Sequence, residues 1–332
     1  MKAVLMTREG EPDVLEYRDI PEPEIRSSSQ IKVRLRAAGV NPVDTKLRAR
    51  GVFYADALPV ILGCDGAGTV VEVGGGVTRF RSGDAVWFCN GGLGRESGCY
   101  AEYAVIDETV ARTKPSALDF TAAAAGPLVL ITAWEALYDR AGLEYGQHVL
   151  IHAGAGGVGH VAVQLAKLRG ATVIATAGSE QRAEFVRKLG ADKVILYKEQ
   201  DFVAAVLGYT DQKGVDVVLD TVGGETFYRS IEACRYYGNV VTLLDPGAHI
   251  SWKEARNRNL RIGFELMLTP MLRDLPEARA HHGDILDRCA QLIDGGRLSL
   301  TIGHRLPLVH AARAHALLEA GGMQGKVVLE IE

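Results

Sequence analysis

Cysteine is scarce and scattered. Cys64, Cys89, Cys99, Cys234 and Cys289 are the five present, an odd number, and no two form a CxxC pair. A disulfide framework is not expected, and the pattern fits a reducing cytoplasm. Long apolar runs are also missing. The most apolar stretch, AAAAGPLVLITAW, is too short and too alanine-rich to span a bilayer. The opening MKAVLMTREGEPD brings in charge before a signal-type apolar region can form. Neither a membrane span nor an export signal is expected. There is no excess of charge of one sign: 37 Lys+Arg against 41 Asp+Glu leave a net −4, which gives nucleic-acid binding no support. The one basic cluster, KEARNRNLR from Lys253 to Arg261, reads as a solvated face. The nine histidines include no H-E-x-x-H, and His281-His282 read as solvated on a polar helix face.

What is present is the balance of a globular enzyme, 47% hydrophobic and 23% charged over 332 residues, enough for two domains. Up to about residue 115, KAVLM, QIKVRLRAAGV, GTVVEVG and GDAVWFC are β-rich pieces set off by turn residues. The middle changes character. HVLIH, TVIAT, KVIL, VDVVLD and GNVVTLL are short apolar strands, with LRIGFEL a possible sixth. Helical patterns lie between them: Val161, Leu165 and Leu168 share one face, Phe185 and Leu189 the next. Buried strands alternating with helices predict an α/β fold with a doubly wound parallel sheet. The tail after about residue 270, helix–strand–helix–strand, is expected to return to the first domain.

The strongest motif is VLIHAGAGGVGHVAVQLAKLRG, a strand, a glycine turn and a helix. Gly154, Gly156 and Gly159 fit G-x-G-x-x-G in the Rossmann context. Missing Cβ atoms let the backbone approach a pyrophosphate, and the helix start aims free N–H groups at it. Gly157 and Val158 complete the candidate contacts. The second strand ends TVIATAGSEQR, without the terminal acid that holds ribose hydroxyls in NAD sites. Ser179 and Arg182 there suit a 2′-phosphate, which favours NADPH. Glu180 is the competing group, able to pair with Arg182 or to hold a ribose.

AAGVNPVD, LGCDGAGTVVEVG, AGAGGVGHVAVQLAK, DTVGG and GKVVL, in this order, resemble the medium-chain dehydrogenase/reductase superfamily, and within it the zinc-free, zeta-crystallin-like quinone oxidoreductase branch. The resemblance implies a GroES-like, mostly-β catalytic domain, residues 1–118 and 268–332, interrupted by a Rossmann domain, residues 119–267. Zinc-dependent relatives carry cysteine at the position of Asn41, threonine at Val43 and His-Glu at Cys64-Asp65. Asn is a poor zinc ligand and a catalytic zinc needs three good ones, so no metal is expected. Cys64 then reads as a small buried residue, and Asp65 as a turn or backbone-bonding one.

The resemblance further implies hydride transfer from NADPH to quinones or α,β-unsaturated carbonyl compounds, with Asn41 and Tyr54 as the catalytic candidates. It adds Thr132, Tyr197, Leu243, Leu244, Phe264 and Lys326 to the cofactor contacts. It also implies a homodimer or homotetramer. An enoyl-thioester reductase, an alcohol dehydrogenase and a non-catalytic NADPH-binding protein stay open as alternatives.

Overall fold

The strand Gln30–Val40 organises the first half of the molecule. Its apolar residues fall at every second position, and Ile31, Val33 and Leu35 are fully buried while Arg34 and Arg36 point outward. In the computed structural model, which describes residues 1–54, 56–247 and 251–332, the chain forms two units. One is Met1–Leu128 with Leu268–Glu332; the other is Val129–Met267.

In the first unit Gln30–Val40 sits inside a seven-stranded sheet. Asp65–Val73 pairs with it antiparallel on one side, and Ala85–Cys89 follows next to that strand. On the other side lies Lys326–Glu330, also antiparallel, with Val327 opposite Val40 and Val328 opposite Gly39. The tail therefore does return to the first unit. A separate three-stranded sheet holds Leu15–Asp19, Lys2–Met6 and Val60–Ile61.

The chain passes from the first unit to the second between Leu128 and Val129, where the sequence reading expects 118/119. The short helix Phe120–Ala124 packs on Gln30–Val40 and Asp65–Val73. Leu128 N–H donates to Asp65 Oδ1 at 2.8 Å. Both contacts hold this segment to the first unit.

The second unit is a six-stranded, all-parallel sheet. Its spatial order is Lys193–Leu196, Thr172–Ala177, His148–Ile151, Val215–Asp220, Cys234–Thr242, Arg261–Phe264. The order reverses at His148–Ile151, which is where ligands bind in such sheets. LRIGFEL does supply the sixth strand. Leu150, Ile174, Ile195, Val218 and Val240 form a buried layer with Phe227 and Ile231 from the helix Gly224–Ala233.

Helix Gly157–Leu168 buries Val161 and Leu165 as its pattern predicts, while Leu168 is half-buried. The next helix, Glu180–Lys188, departs from its pattern: Ala183 and Val186 are the buried residues, and Phe185 and Leu189 are half-buried. Val186 is drawn in by the glycine turn, since its Cγ1 lies 3.1 Å from where a Cβ on Gly154 would stand. On Pro276–Asp294, His281 is exposed as expected but His282 is buried, because its side of the helix docks on the sheet along with Gly283 and Leu286.

Candidate active site

The glycine turn joins His148–Ile151 to the helix Gly157–Leu168, with Gly156 at the N-cap. Gly154 and Gly159 are explained by what a side chain would meet. A Cβ on Gly159 would lie 2.2 Å from Ala153 O and 2.8 Å from Gly154 Cα. One on Gly154 would lie 2.9 Å from Ala175 Cβ. Gly156 has more room, with Ala153 O at 3.2 Å. Gly154 and Gly159 thus close the turn onto the sheet and the helix, and the N–H groups of Gly157, Val158 and Gly159 lie in the first helical turn, beyond the reach of intrahelical acceptors.

Ser179 is the N-cap of the next helix, just past the carboxyl end of Thr172–Ala177. A Cβ on Gly178 would stand 2.9 Å from Tyr197 Oη and 3.2 Å from Arg182 Nη1. A phenol, a guanidinium and a hydroxyl therefore gather at one strand end. Tyr197 is 50% exposed and able to meet a ligand. Glu180 Oε1 accepts from Arg187 Nη1 at 2.6 Å.

Leu243 and Leu244 follow Cys234–Thr242, with Leu243 N–H bound to Asp220 O and Leu244 N–H to Thr242 Oγ1. Phe264 ends the edge strand and is 57% exposed. All of these candidates thus lie at or beyond carboxyl ends of one parallel sheet, whereas Thr132 is buried in the helix Pro127–Trp134.

The first unit holds a different kind of site. Asn41 follows the strand Gln30–Val40 and caps the helix Pro42–Arg50, with Pro42 at its start. Its neighbours across the sheet bring Asp65 from one side and Lys326 from the other. Gly325, at φ 66°, makes the turn into Lys326 where a Cβ would lie 2.1 Å from Thr301 O. Lys326 Nζ donates to Val40 O at 3.0 Å and to Asn41 Oδ1, and lies 3.6 Å from Asp65 Oδ2. Asn41 Nδ2 donates to Asp65 Oδ2 at 2.9 Å. Asn41 and Asp65 have no exposed surface, and Lys326 has almost none.

The structure thus sets Asn41 and Lys326 against each other inside the first unit. The lysine that was expected to contact a cofactor directs its ammonium at the protein. Asp65 bonds backbone, as expected, through Leu128 N–H, and carries an ion pair that sequence reasoning missed.

A second buried cluster adjoins the first. Asp44 Oδ2 accepts from Asn41 N–H at 2.8 Å and from Tyr100 O–H at 2.9 Å, and Tyr100 Oη lies 3.2 Å from His315 Nε2. Burial pushes the Asp44 carboxyl up to about 7 and holds His315 down to about 3. Asp44 stands three residues after the N-cap, the spacing of a capping box, which was the available signal. Tyr100 and His315 carried none.

These residues do not suit a divalent metal. A cation beside Asn41 and Asp65 would have to displace the Lys326 ammonium, already held by three oxygens. Cys64 is fully buried. A hydrogen bond with Cys89 pulls its thiol down, but burial together with the Asp44 and Asp65 carboxylates pushes it up and prevails, so it is not the thiolate that binds metal well. Tyr54 stands apart from this cluster. Its hydroxyl points to Leu272 O at 3.4 Å, and the Arg95 guanidinium lies 4.3 Å above its ring.

Comparison with known proteins finds family models over much of the chain. An alcohol dehydrogenase GroES-like domain model matches residues 27–116, and a zinc-binding dehydrogenase model matches residues 189–329. A quinone oxidoreductase of Pseudomonas aeruginosa is 35% identical over 332 residues, 99% of each chain. A 2-haloacrylate reductase of a Burkholderia species is 32% identical over 343 aligned positions, 98% of each. The crystal structure of Escherichia coli quinone oxidoreductase complexed with NADPH superimposes with a TM-score of 0.89 at 29% identity, covering 100% of both chains. Among the described residues no helix is long and apolar enough to cross a membrane. The chain belongs to the medium-chain dehydrogenase/reductase superfamily, in its quinone oxidoreductase branch, and is an oxidoreductase.

Proposed function

We propose that the protein is an NADPH-dependent reductase of quinones and other α,β-unsaturated carbonyl compounds that works without zinc. The observation that carries the cofactor choice is the meeting of Arg182 Nη1 and Tyr197 Oη at Gly178, beside Ser179. That set offers a cation and two hydroxyls to a 2′-phosphate and no carboxylate to a 2′-hydroxyl. The N–H groups of Gly157, Val158 and Gly159 take the pyrophosphate. Leu243, Leu244 and Phe264 border the nicotinamide, and Thr132 backs it from its helix. When bound, the cofactor supplies a hydride.

Tyr54 is the proposed donor to the substrate oxygen. Asn41 acts through position rather than contact, as the capped, fully buried joint that Lys326 and Asp65 hold. Conjugation in the acceptor spreads the incoming charge, which is the part a metal would otherwise play. The Burkholderia relative, named as a reductase of 2-haloacrylate, supports this substrate class.

The test is Arg182→Ala, assayed with NADPH and NADH against a simple quinone. The ratio of kcat/KM for NADPH over NADH should fall by about tenfold or more, about 1.4 kcal/mol of lost phosphate recognition. An unchanged ratio would overturn the cofactor choice, and no turnover of quinones or enones with either cofactor would overturn the reaction.

A further inference from the structure

Beneath the glycine turn runs a chain of buried hydrogen bonds that the cofactor contacts leave unexplained. His152 follows the strand His148–Ile151 and is 2% exposed. Its Nε2 lies 2.8 Å from Ser230 Oγ, and Ser230 gives its own proton to Thr226 O at 2.7 Å. Nε2 must therefore carry the ring proton and donate. Nδ1 is then bare and accepts from Thr176 O–H, 3.3 Å away. With its proton committed, Thr176 Oγ1 accepts the Ala153 N–H at 3.0 Å. Thr221 Oγ1 fixes the His152 backbone by donating to its carbonyl at 2.9 Å, and Phe202 meets the imidazole edge to face at 4.9 Å. Burial holds the imidazole down to about 4, against the pull of Asp220, so the ring is neutral near pH 7, as this tautomer requires.

Ala153 is the pivot of the turn. Its φ is 49°, the left-handed region, where a side chain costs about 1 kcal/mol. Its carbonyl accepts from Gly156 N–H at 2.8 Å, and that same oxygen is the one against which Gly159 is packed. Thr176 grips the turn twice, taking Ala153 N–H on its hydroxyl and Gly154 N–H on its carbonyl at 3.0 Å. A conformation of this kind persists where its surroundings over-determine it.

We infer that His152 is a positioning residue for the cofactor: through Thr176 it holds Ala153 in the left-handed conformation that shapes the phosphate-binding turn. The inference rests on the reading of this turn as the NADPH pyrophosphate site. It assigns a role to a side chain that touches no ligand, and it makes that role dependent on the residue at 153.

The test is calorimetric binding of NADPH and of 2′-AMP, which carries the 2′-phosphate but no pyrophosphate. It uses the wild type, His152→Leu, Thr176→Val, Ala153→Gly and the double variant His152→Leu with Ala153→Gly. His152→Leu and Thr176→Val should each weaken NADPH about tenfold and leave 2′-AMP unchanged, which also shows that the sheet is intact. Ala153→Gly, where the left-handed conformation is free of penalty, should reduce the His152→Leu effect to about threefold or less. A histidine that merely fills the core would not be rescued by that glycine. If the wild type binds NADPH but His152→Leu and Thr176→Val do not weaken it, or the glycine rescues nothing, the inference fails and the cofactor reading stands. If the wild type does not bind NADPH, the cofactor reading fails and takes the inference with it.

Discussion

Replacing Lys326 by methionine removes a charge from a place that water hardly reaches, since Lys326 is 3% exposed and Asp65 0%. Methionine keeps most of the apolar stem, so the loss is largely electrostatic. Val40 O, Asn41 Oδ1 and Asp65 Oδ2 each lose the ammonium. Asp65 is not stripped bare: Leu128 N–H at 2.8 Å and Asn41 Nδ2 at 2.9 Å still donate to it. Breaking a buried ion pair from one side costs about 3–5 kcal/mol, and the two remaining donors place this case at about 3.

The loss should depend on pH. Burial pushes the Asp65 carboxyl up while Lys326 pulls it down, so without the ammonium it rises further above its unfolded value. A raised carboxyl contributes stability at low pH that is lost as pH climbs through the folded value. The deficit of Lys326→Met should therefore grow with pH. Adding Asp65→Asn removes the stranded charge. Asn41, freed of Lys326, can turn its amide over to meet the new one. The double variant should then be about 2 kcal/mol more stable than Lys326→Met alone. Urea denaturation followed by fluorescence reads this directly, because Trp87 is fully buried in the same unit. A deficit below about 1 kcal/mol, or strict additivity of the two substitutions, would refute the argument.

Two further substitutions probe the first unit. A Cβ on Gly283 would lie 1.7 Å from Arg112 Nη2. The guanidinium cannot withdraw without loosening its bonds to Thr109 O and Ala111 O and its pair with Asp287. Gly283→Ala should cost about 2 kcal/mol, read as a lowered thermal midpoint; an unchanged midpoint would mean that the helix Pro276–Asp294 does not dock through this contact. Asp44, raised to about 7 by burial, should lower wild-type stability as pH rises from about 4 to 7. Asp44→Asn cannot ionise, so the stability difference between variant and wild type should move in the variant's favour over that same range, from about pH 4 to 7. Parallel pH profiles would show that Asp44 does not titrate in this range.

The parallel sheet could be read from the chain because each of its signals is local. Val149–Ile151 is buried on both faces and carries no polar residue, and the turn that follows has glycine wherever a Cβ would strike backbone or a neighbouring strand. Burial on a helix is less local. Phe185 and Val186 are adjacent, and the pattern alone cannot decide which one the glycine turn will draw in. His281 and His282 illustrate the same point: successive residues on a helix face about 100° apart, so they were never bound to share a solvated face. The buried ion pair was the hardest to see. Asn41 stands 24 residues from Asp65 and 285 from Lys326. Each residue carried a signal of its own, but their meeting depends on the register of two strands flanking Gln30–Val40.

That meeting bears on the chemistry proposed. An ammonium held by Val40 O, Asn41 Oδ1 and Asp65 is a cation fixed by its covalent stem, with its donors directed at the protein. It can hold Asn41 and the start of the helix Pro42–Arg50, but it has no open coordination position to offer a substrate oxygen, as a catalytic metal does. Polarisation of the substrate must then come from the substrate itself and from an accessible hydroxyl. Conjugated acceptors meet the first condition. Tyr54 is the candidate for the second, because it is half-exposed and its hydrogen bond to Leu272 O, 3.4 Å long, is easily exchanged for a better acceptor. Saturated alcohols and simple aldehydes meet neither, and they are the substrates this arrangement should turn over worst.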